Sequence, residues 1–181
     1  MKILSLDIAK KRTGHSLVNE DKVLSYGNID CPKAFIKIKN NEAEFSRVLL
    51  WYALKVKLLC KNYLPDAVIM EDLNCEYVIV AKTMIPFQVA ARFGCLLYNS
   101  HCYIDTVHNA TVKSVWGIPK GKKFTPQKYI NLAASLKPKV KKPLKLMMID
   151  KVNEKYGLSL SYYEDDEADS IAIAHTYIER M

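Results

Sequence analysis

The 181-residue sequence predicts one α/β domain with a mixed sheet of about five strands and helices packed against it. Three short apolar segments near the N-terminus are joined by tight turns, which is typical of an antiparallel meander. Later apolar segments alternate with stretches whose apolar residues recur at helical spacing. No repeat and no change of composition marks a boundary, so we expect a single domain over residues 1–181.

The strands are predicted from short apolar runs that are bounded by turn residues. The first run contains an acid, Asp7, and is followed by a basic, glycine-containing turn, Ala9–Gly14. The predicted strands are residues 2–8, His15–Val18, Val23–Ile29, Ala67–Met70 and Cys102–Val107.

The helices are predicted from apolar periodicity and from residues that begin or end helices. Thr125 and Pro126 supply a cap and a first-position proline for one helix, and Gly157 ends the next. The second long helix has apolar residues on most faces, which predicts burial on several sides. The predicted helices are Glu42–Tyr63, Val80–Asn99, Asn109–Val115, one beginning at Thr125-Pro126, residues 144–155, and a C-terminal helix after Tyr163.

Composition limits the class of protein. The formal charge of +8 and the pI near 9.1 favour a polyanionic partner, and nearly all the positive charge is lysine. The five cysteines are scattered without metal-ligand spacing, which is typical of reduced intracellular thiols. No apolar run is long enough to span a bilayer and no signal peptide is evident. We therefore expect a cytoplasmic protein, of a bacterial cell or an infected host cell.

Carboxylates organise the candidate site. The stretch Tyr163–Ala174 carries five acids within six positions, directly before an Ala- and Ile-rich helix start. Asp166 and Asp169 are three residues apart and share a helix face. Asp7 lies within one apolar strand and Glu71 ends another, where an acid is costly unless it is paired or binds a cation. Together these acids could form an oxygen-ligand site for Mg²⁺ or Mn²⁺, although an acidic first turn also suits the helix dipole alone.

The order of these motifs resembles the RuvC family of Holliday junction resolvases, a branch of the ribonuclease H superfamily. The strand with Asp7 and its basic turn resemble the family's opening, and Asp166–Ala172 resembles its closing Asp-x-x-Asp helix. Gln88–Gly94 is similar to the family's dimer-interface helix, and Val112–Gly117 is similar to its basic segment. The resemblance covers nearly the whole chain. It implies a ribonuclease H-like fold, with the first three strands antiparallel and helices on both faces of the sheet.

The resemblance also implies a homodimer that cleaves four-way DNA junctions. Asp7, Glu71, Asp166 and Asp169 match the family's metal ligands, which implies two Mg²⁺ ions per site, with Mn²⁺ able to substitute. Asp165 is an alternative to Asp166 if the helix begins differently, and a neighbouring acid, Asp72, is similarly an alternative to Glu71. No helicase partner is indicated.

Basic residues complete the implied site. Lys113 and Lys123 match the family's residues near the scissile phosphate, although a solvated loop would look the same. Trp116 and Phe124 flank this loop and are expected to pack rather than stack on bases. The family's aromatic wedge after the strand glutamate is not obvious here. The candidate DNA-binding residues are Lys10, Lys11, Arg12, Lys113, Lys122 and Lys123.

Two other functions compete with this prediction. The stretch Asp7–Gly14 would also suit the YqgF-type nucleases of the same superfamily, which act on RNA. A junction-binding protein without catalysis would be expected to have lost one of the four acids, and none is missing.

Overall fold

The computed structural model describes residues 1–36, 42–73, 78–119, 124–136 and 142–181. The strands are β1 (Lys2–Asp7), β2 (Arg12–Asn19), β3 (Lys22–Asp30), β4 (Ala67–Asp72) and β5 (Tyr103–His108). The helices are α1 (Lys33–Ile36), α2 (Glu42–Tyr63), α3 (Val78–Tyr98), α4 (Asn109–Val115), α5 (Gln127–Ser135), α6 (Pro143–Tyr156) and α7 (Asp165–Ile178).

The strands form one five-stranded sheet in the order β3-β2-β1-β4-β5. Strands β1, β2 and β3 pair antiparallel, while β4 pairs parallel to β1, and β5 pairs parallel to β4. This confirms the predicted mixed sheet. The parallel pairs place the carboxyl ends of β1, β4 and β5 at the same edge of the sheet.

Side chains alternate between the two faces of the sheet, so each face has its own apolar core. Leu4 and Met70 face a core built with α2 and α3. Ile3 and Ile69 face a second core built with α4, α6 and α7. Helices therefore cover both faces, as predicted.

Helix α7 lies against the second face, and two close contacts fix it there. Ser5 donates a hydrogen bond from Oγ to the main-chain oxygen of Ser170, at 2.6 Å. A Cβ atom on Gly14 would stand 1.9 Å from the main-chain oxygen of Asp166, so the first turn of α7 requires glycine at this position of β2. These contacts bring the start of α7 to the carboxyl end of β1.

Three details differ from the sequence prediction. Strand β2 begins at Arg12, so Gly14 lies in a strand, paired with Asp7, rather than in a turn. Asp7 is the last residue of β1 rather than a central one. Helix α5 begins at Gln127, because Pro126 has the extended ψ of 136° and acts as the N-cap.

The aromatic residues beside the basic loop behave differently from each other. Trp116 is buried and donates from Nε1 to the main-chain oxygen of Ala172, at 3.2 Å, which confirms a packing role. Phe124 is 68% exposed, so its expected packing role is wrong. None of the described helices is both long and apolar enough to cross a membrane.

Candidate active site

Two neighbouring strand ends bring two carboxylates together. Leu6 of β1 pairs with Met70 of β4. Asp7 and Glu71 are the next residues of these two strands, so they lie side by side at the carboxyl ends of the parallel pair. Alternation turns both side chains toward the face that α7 covers. Asp72 is exposed and alternates to the other face, which favours Glu71 as the site residue.

Two amides hold Glu71. Asn109 is the first residue of α4 and donates from Nδ2 to Oε1 of Glu71. Gln88 of α3 donates from Nε2 to the main-chain oxygen of Glu71, at 3.0 Å. Sequence reasoning missed Asn109, although an amide that directly follows a strand at the same sheet edge is a usable signal. These two bonds hold both the main chain and the side chain of Glu71.

Helix α7 supplies three more carboxylates, which converge on Lys145 of α6. The ammonium nitrogen of Lys145 lies 3.0 Å from Oδ2 of Asp165 and 2.9 Å from Oδ2 of Asp169. It lies 3.8 Å from Oδ1 of Asp166. Sequence reasoning missed Lys145, because nothing in its local sequence separates it from the other lysines. Asp165 and Asp166 both lie beside the cation, so both alternatives belong to this cluster.

Burial and the neighbouring charges shift the pKa values of this cluster. Burial, then the charges of Asp169 and Glu71, raise the pKa of Asp7 well above its usual value. Burial also raises the pKa of Asp169, although Lys145 opposes this. Burial alone would lower the pKa of Lys145, but Asp169 and Asp165 raise it above the ordinary lysine value. The carboxylates therefore share one electrostatic environment that a cation stabilises.

The other two acids of the sequence motif serve structural roles. Glu164 accepts a hydrogen bond at Oε2 from the main-chain N–H of Ser161, at 2.7 Å. Glu167 is buried and accepts from Nδ2 of Asn28 on β3. Because each helical residue turns by about 100°, Glu167 faces away from Asp169. The acidic stretch thus contributes three residues to the site and two to the fold.

A cleft of about 260 Å³ opens beside the carboxylates. Glu71 and Asp169 line it together with three lysines, Lys113, Lys142 and Lys145. Lys113 lines this cleft, and the catalytic role that the resemblance implies for it stays a prediction. Lys122 and Lys123 fall outside the described residues, so their predicted roles stay predictions.

The basic turn lies next to Asp7, between β1 and β2. Lys11 and Arg12 are exposed, but Arg12 donates from Nε to Oδ1 of Asp30, at 2.8 Å. The guanidinium is therefore partly committed to an ion pair with Asp30. The DNA contacts predicted for Lys10, Lys11 and Arg12 stay predictions.

The donor set suits a hard divalent cation. Every candidate ligand offers carboxylate oxygen, which Mg²⁺ and Mn²⁺ prefer. Burial, with repulsion from neighbouring carboxylates adding to it, raises the pKa of Asp7 and Asp169, and a bound cation would favour their ionised forms. As they stand, the described Asp, Glu, His and Cys side chains form no group of three placed to hold a metal ion. The ammonium of Lys145 lies among three of these carboxylates.

Solved structures share this architecture. RuvC of Thermus thermophilus in complex with a Holliday junction substrate matches with a TM-score of 0.67, over 98% of this chain and 93% of that one, at 14% identity. The fold is RuvC-like. A second Thermus thermophilus RuvC structure matches with a TM-score of 0.64 at 13% identity, over 98% of this chain and 93% of that chain.

A eukaryotic protein shares the RuvC-like fold as well. The yeast mitochondrial Holliday junction resolvase Ydc2 matches with a TM-score of 0.60 at 13% identity, over 97% of this chain and 77% of that chain. No protein-family model matches the sequence, and no curated protein matches it either. The resemblance predicted from the motifs is thus confirmed for the fold.

Proposed function

We propose that this protein is a structure-selective endonuclease that resolves four-way DNA junctions, and also cuts other branched DNA, by metal-dependent hydrolysis of phosphodiester bonds. The observation that carries the proposal is the convergence of strand carboxylates and α7 carboxylates at one edge of a RuvC-like sheet. Asp7 and Glu71 come from neighbouring strands, and Asp169 lines the same cleft as Glu71. The fold brings these residues together, although they lie far apart in the sequence.

The acidic cluster would hold the cofactor. Asp7, Glu71, Asp166 and Asp169 would bind Mg²⁺, with two ions per site and Mn²⁺ as a substitute. Bound ions would activate a water molecule and stabilise the departing oxygen. Glu71 is oriented for this role by the amide of Asn109, since a ligand that accepts a hydrogen bond from a neighbour loses less freedom on binding.

The lysines of the cleft would act on the phosphate. Lys113 is exposed at the cleft, where its charge would attract a phosphodiester and offset the negative charge that grows in the transition state. Lys142 lines the same cleft and would add to this field. Lys123 keeps the catalytic role that the resemblance implies for it.

DNA would approach over the basic turn. Lys10 and Lys11 lie between β1 and β2, and Arg12 begins β2, beside the end of the strand that carries Asp7. Together with Lys122 and Lys123 they would contact phosphates, and the formal charge of +8 would make binding salt-dependent.

A homodimer would present two such sites to one junction. The outward face of α3 is apolar, with Val89 58% exposed and Phe93 50% exposed. A row of this length on one helix is unusual for a surface that faces only water. The exposed apolar residues of α3 are Ile85, Val89, Phe93, Leu96 and Leu97. We propose that a second copy of the chain covers this face.

The test is cleavage of a labelled mobile four-way junction beside matched duplex, fork and RNA–DNA hybrid. Wild type and Asp7→Asn are compared in Mg²⁺, Mn²⁺ and EDTA. We expect paired, symmetric nicks in the junction from wild type with either metal. The variant should bind the junction without nicking it, because its amide removes a ligand charge but keeps the shape of the side chain.

Two results would contradict the proposal. Tight junction binding by wild type without metal-dependent nicking would indicate a binding protein. Cleavage confined to the RNA strand of the hybrid would indicate an RNA nuclease of the same superfamily.

A further inference from the structure

The side chain of Lys145 lies inside the acidic cluster rather than in solvent. Its Nζ atom lies within 3.0 Å of oxygens from both Asp165 and Asp169, and 3.8 Å from Asp166. The lysine side chain is 34% exposed, whereas that of Asp165 is only 10% exposed. One ammonium therefore balances several carboxylates that would otherwise repel one another.

The position of Lys145 in the first turn of α6 is unfavourable for a cation. Lys145 is the third residue of α6, which begins at Pro143. The first turn of a helix carries partial positive charge, so a cation is disfavoured there and an anion is preferred. The carboxylates of α7 supply the interaction that compensates for this unfavourable position.

A divalent ion and the ammonium compete for the same carboxylate oxygens. Mg²⁺ binds carboxylate oxygen at about 2.1 Å, and its double charge would repel an ammonium that shares the same ligand. Oδ2 of Asp169, a predicted metal ligand, is the oxygen that Lys145 contacts at 2.9 Å. Loading of the site through Asp169 is thus opposed for as long as Lys145 keeps this contact.

Lys145 has somewhere to go. Its flexible side chain already lines the cleft beside the carboxylates, together with Lys113 and Lys142. In that cleft a phosphate oxygen of bound DNA could accept a hydrogen bond from the released ammonium.

We propose that Lys145 is a built-in counter-cation, which occupies the acidic cluster of the metal-free protein and which a divalent ion must displace. The proposal rests on the proposed function, since it assumes that these carboxylates bind metal. It adds that the protein binds divalent ions more weakly than its carboxylates alone would allow. It also adds that the metal-free fold depends on Lys145.

The test measures metal binding without DNA and without catalysis. Mn²⁺ is titrated into wild type, Lys145→Met, Lys145→Gln and Lys145→Arg, and free Mn²⁺ is followed by electron paramagnetic resonance. The matched control is Lys155→Met, which removes an exposed lysine from the last turn of the same helix. Thermal unfolding of each protein is recorded in EDTA and in saturating Mn²⁺.

Neutral substitutions should bind Mn²⁺ more tightly by about tenfold or more, the scale expected when one unit charge is removed within a few ångströms. They should also unfold at a lower temperature than wild type in EDTA. Saturating Mn²⁺ should abolish this difference in unfolding temperature. A neutral variant that folds only in Mn²⁺ would be the extreme form of this result. Lys145→Arg and Lys155→Met should bind Mn²⁺ as wild type does.

Equal or weaker Mn²⁺ binding by both neutral variants would overturn the inference, as would failure of every protein to bind Mn²⁺. The two proposals fail separately. Wild type that binds Mn²⁺ but does not nick junctions would refute the nuclease and leave the role of Lys145 standing. Junction cleavage by wild type, with unchanged Mn²⁺ affinity in the neutral variants, would refute the role of Lys145 and leave the nuclease standing.

Discussion

Gly14 of β2 lies directly under the first turn of α7, where an added Cβ would stand 1.9 Å from the main-chain oxygen of Asp166. Both contacting groups are backbone, so no side chain can rotate to relieve the overlap. We expect Gly14→Ala to lower the free energy of unfolding by roughly 3 kcal/mol, at the upper end of overpacking effects, and to impair cleavage as well. Urea unfolding followed by circular dichroism measures the loss.

Gly27→Ala is the matched control for this prediction. It lies on the paired strand β3, and its Cβ would meet only side-chain atoms of His15, Cε1 at 3.1 Å and Nε2 at 3.5 Å. Its loss of stability should be clearly smaller. A similar loss in both variants would mean that the closeness of α7 is not what demands glycine at position 14.

Asn109 should tune the metal site without touching the metal. Asn109→Ala removes the amide that donates to Oε1 of Glu71 and leaves that carboxylate free to rotate. We expect Mn²⁺ affinity to fall by about tenfold, as is usual when a partner of a ligand is lost, with an unchanged circular dichroism spectrum. Calorimetric titration with Mn²⁺ measures the affinity. Asn131→Ala on the exposed side of α5 should have no effect, and an equal loss there would refute the assignment.

His15 should make the fold sensitive to mild acid. Burial lowers its pKa to about 4, and no described residue bonds its Nδ1 atom. The unfolded chain, with a histidine pKa near ~6.5, binds the proton more readily. The contribution of neutral His15 to the free energy of unfolding is therefore present above pH ~6.5 and is lost as the pH falls toward 4. At pH ~5 the expected loss is about 2 kcal/mol relative to neutral pH.

Urea unfolding at pH ~7.5 and pH ~5.0 tests this, with the loss between the two values as the readout. His15→Gln should lose less stability than wild type between these two values. The exposed His101→Gln should keep the wild-type response. An identical response in all three proteins would place the acid sensitivity elsewhere.

The apolar face of α3 should control assembly. Phe93→Glu places a charge in the middle of that face, and we expect the dimer dissociation constant to rise by at least about 30-fold, the scale of a hot-spot residue. Light scattering after size-exclusion chromatography measures the mass at several concentrations. Leu24→Glu alters an exposed leucine on β3 and should leave the mass unchanged. A wild type that is monomeric at high concentration would contradict the proposed dimer.

Periodicity and spacing were sufficient to predict the sheet, the long helices and the acidic residues of the candidate site. Asp7 and Glu71 were predictable because the first lies within an apolar strand and the second ends one, and the three-residue spacing predicted that Asp166 and Asp169 share a helix face. The structure places them near one another, while their metal-binding role stays a prediction.

The residues that sequence reasoning missed are defined by contacts in space. Lys145 enters the cluster only because α6 packs beside α7, and no local pattern encodes that neighbour. Gly14 was assigned to a turn, since glycine usually indicates one, whereas its actual role is to admit the backbone of α7. Long-range packing decided both cases.

Helix α7 packs against all five strands and also carries Asp165, Asp166 and Asp169. During translation, the sheet can be complete on the ribosome while the face with Ile3 and Ile69 still lacks α7. The nascent chain can therefore have no acidic cluster until α7 has emerged, so the proposed nuclease activity would arise only once α7 has packed onto the sheet. A chain that stops short of α7 should be cleared by proteolysis as a folding failure, rather than persist as a DNA-binding protein that lacks activity.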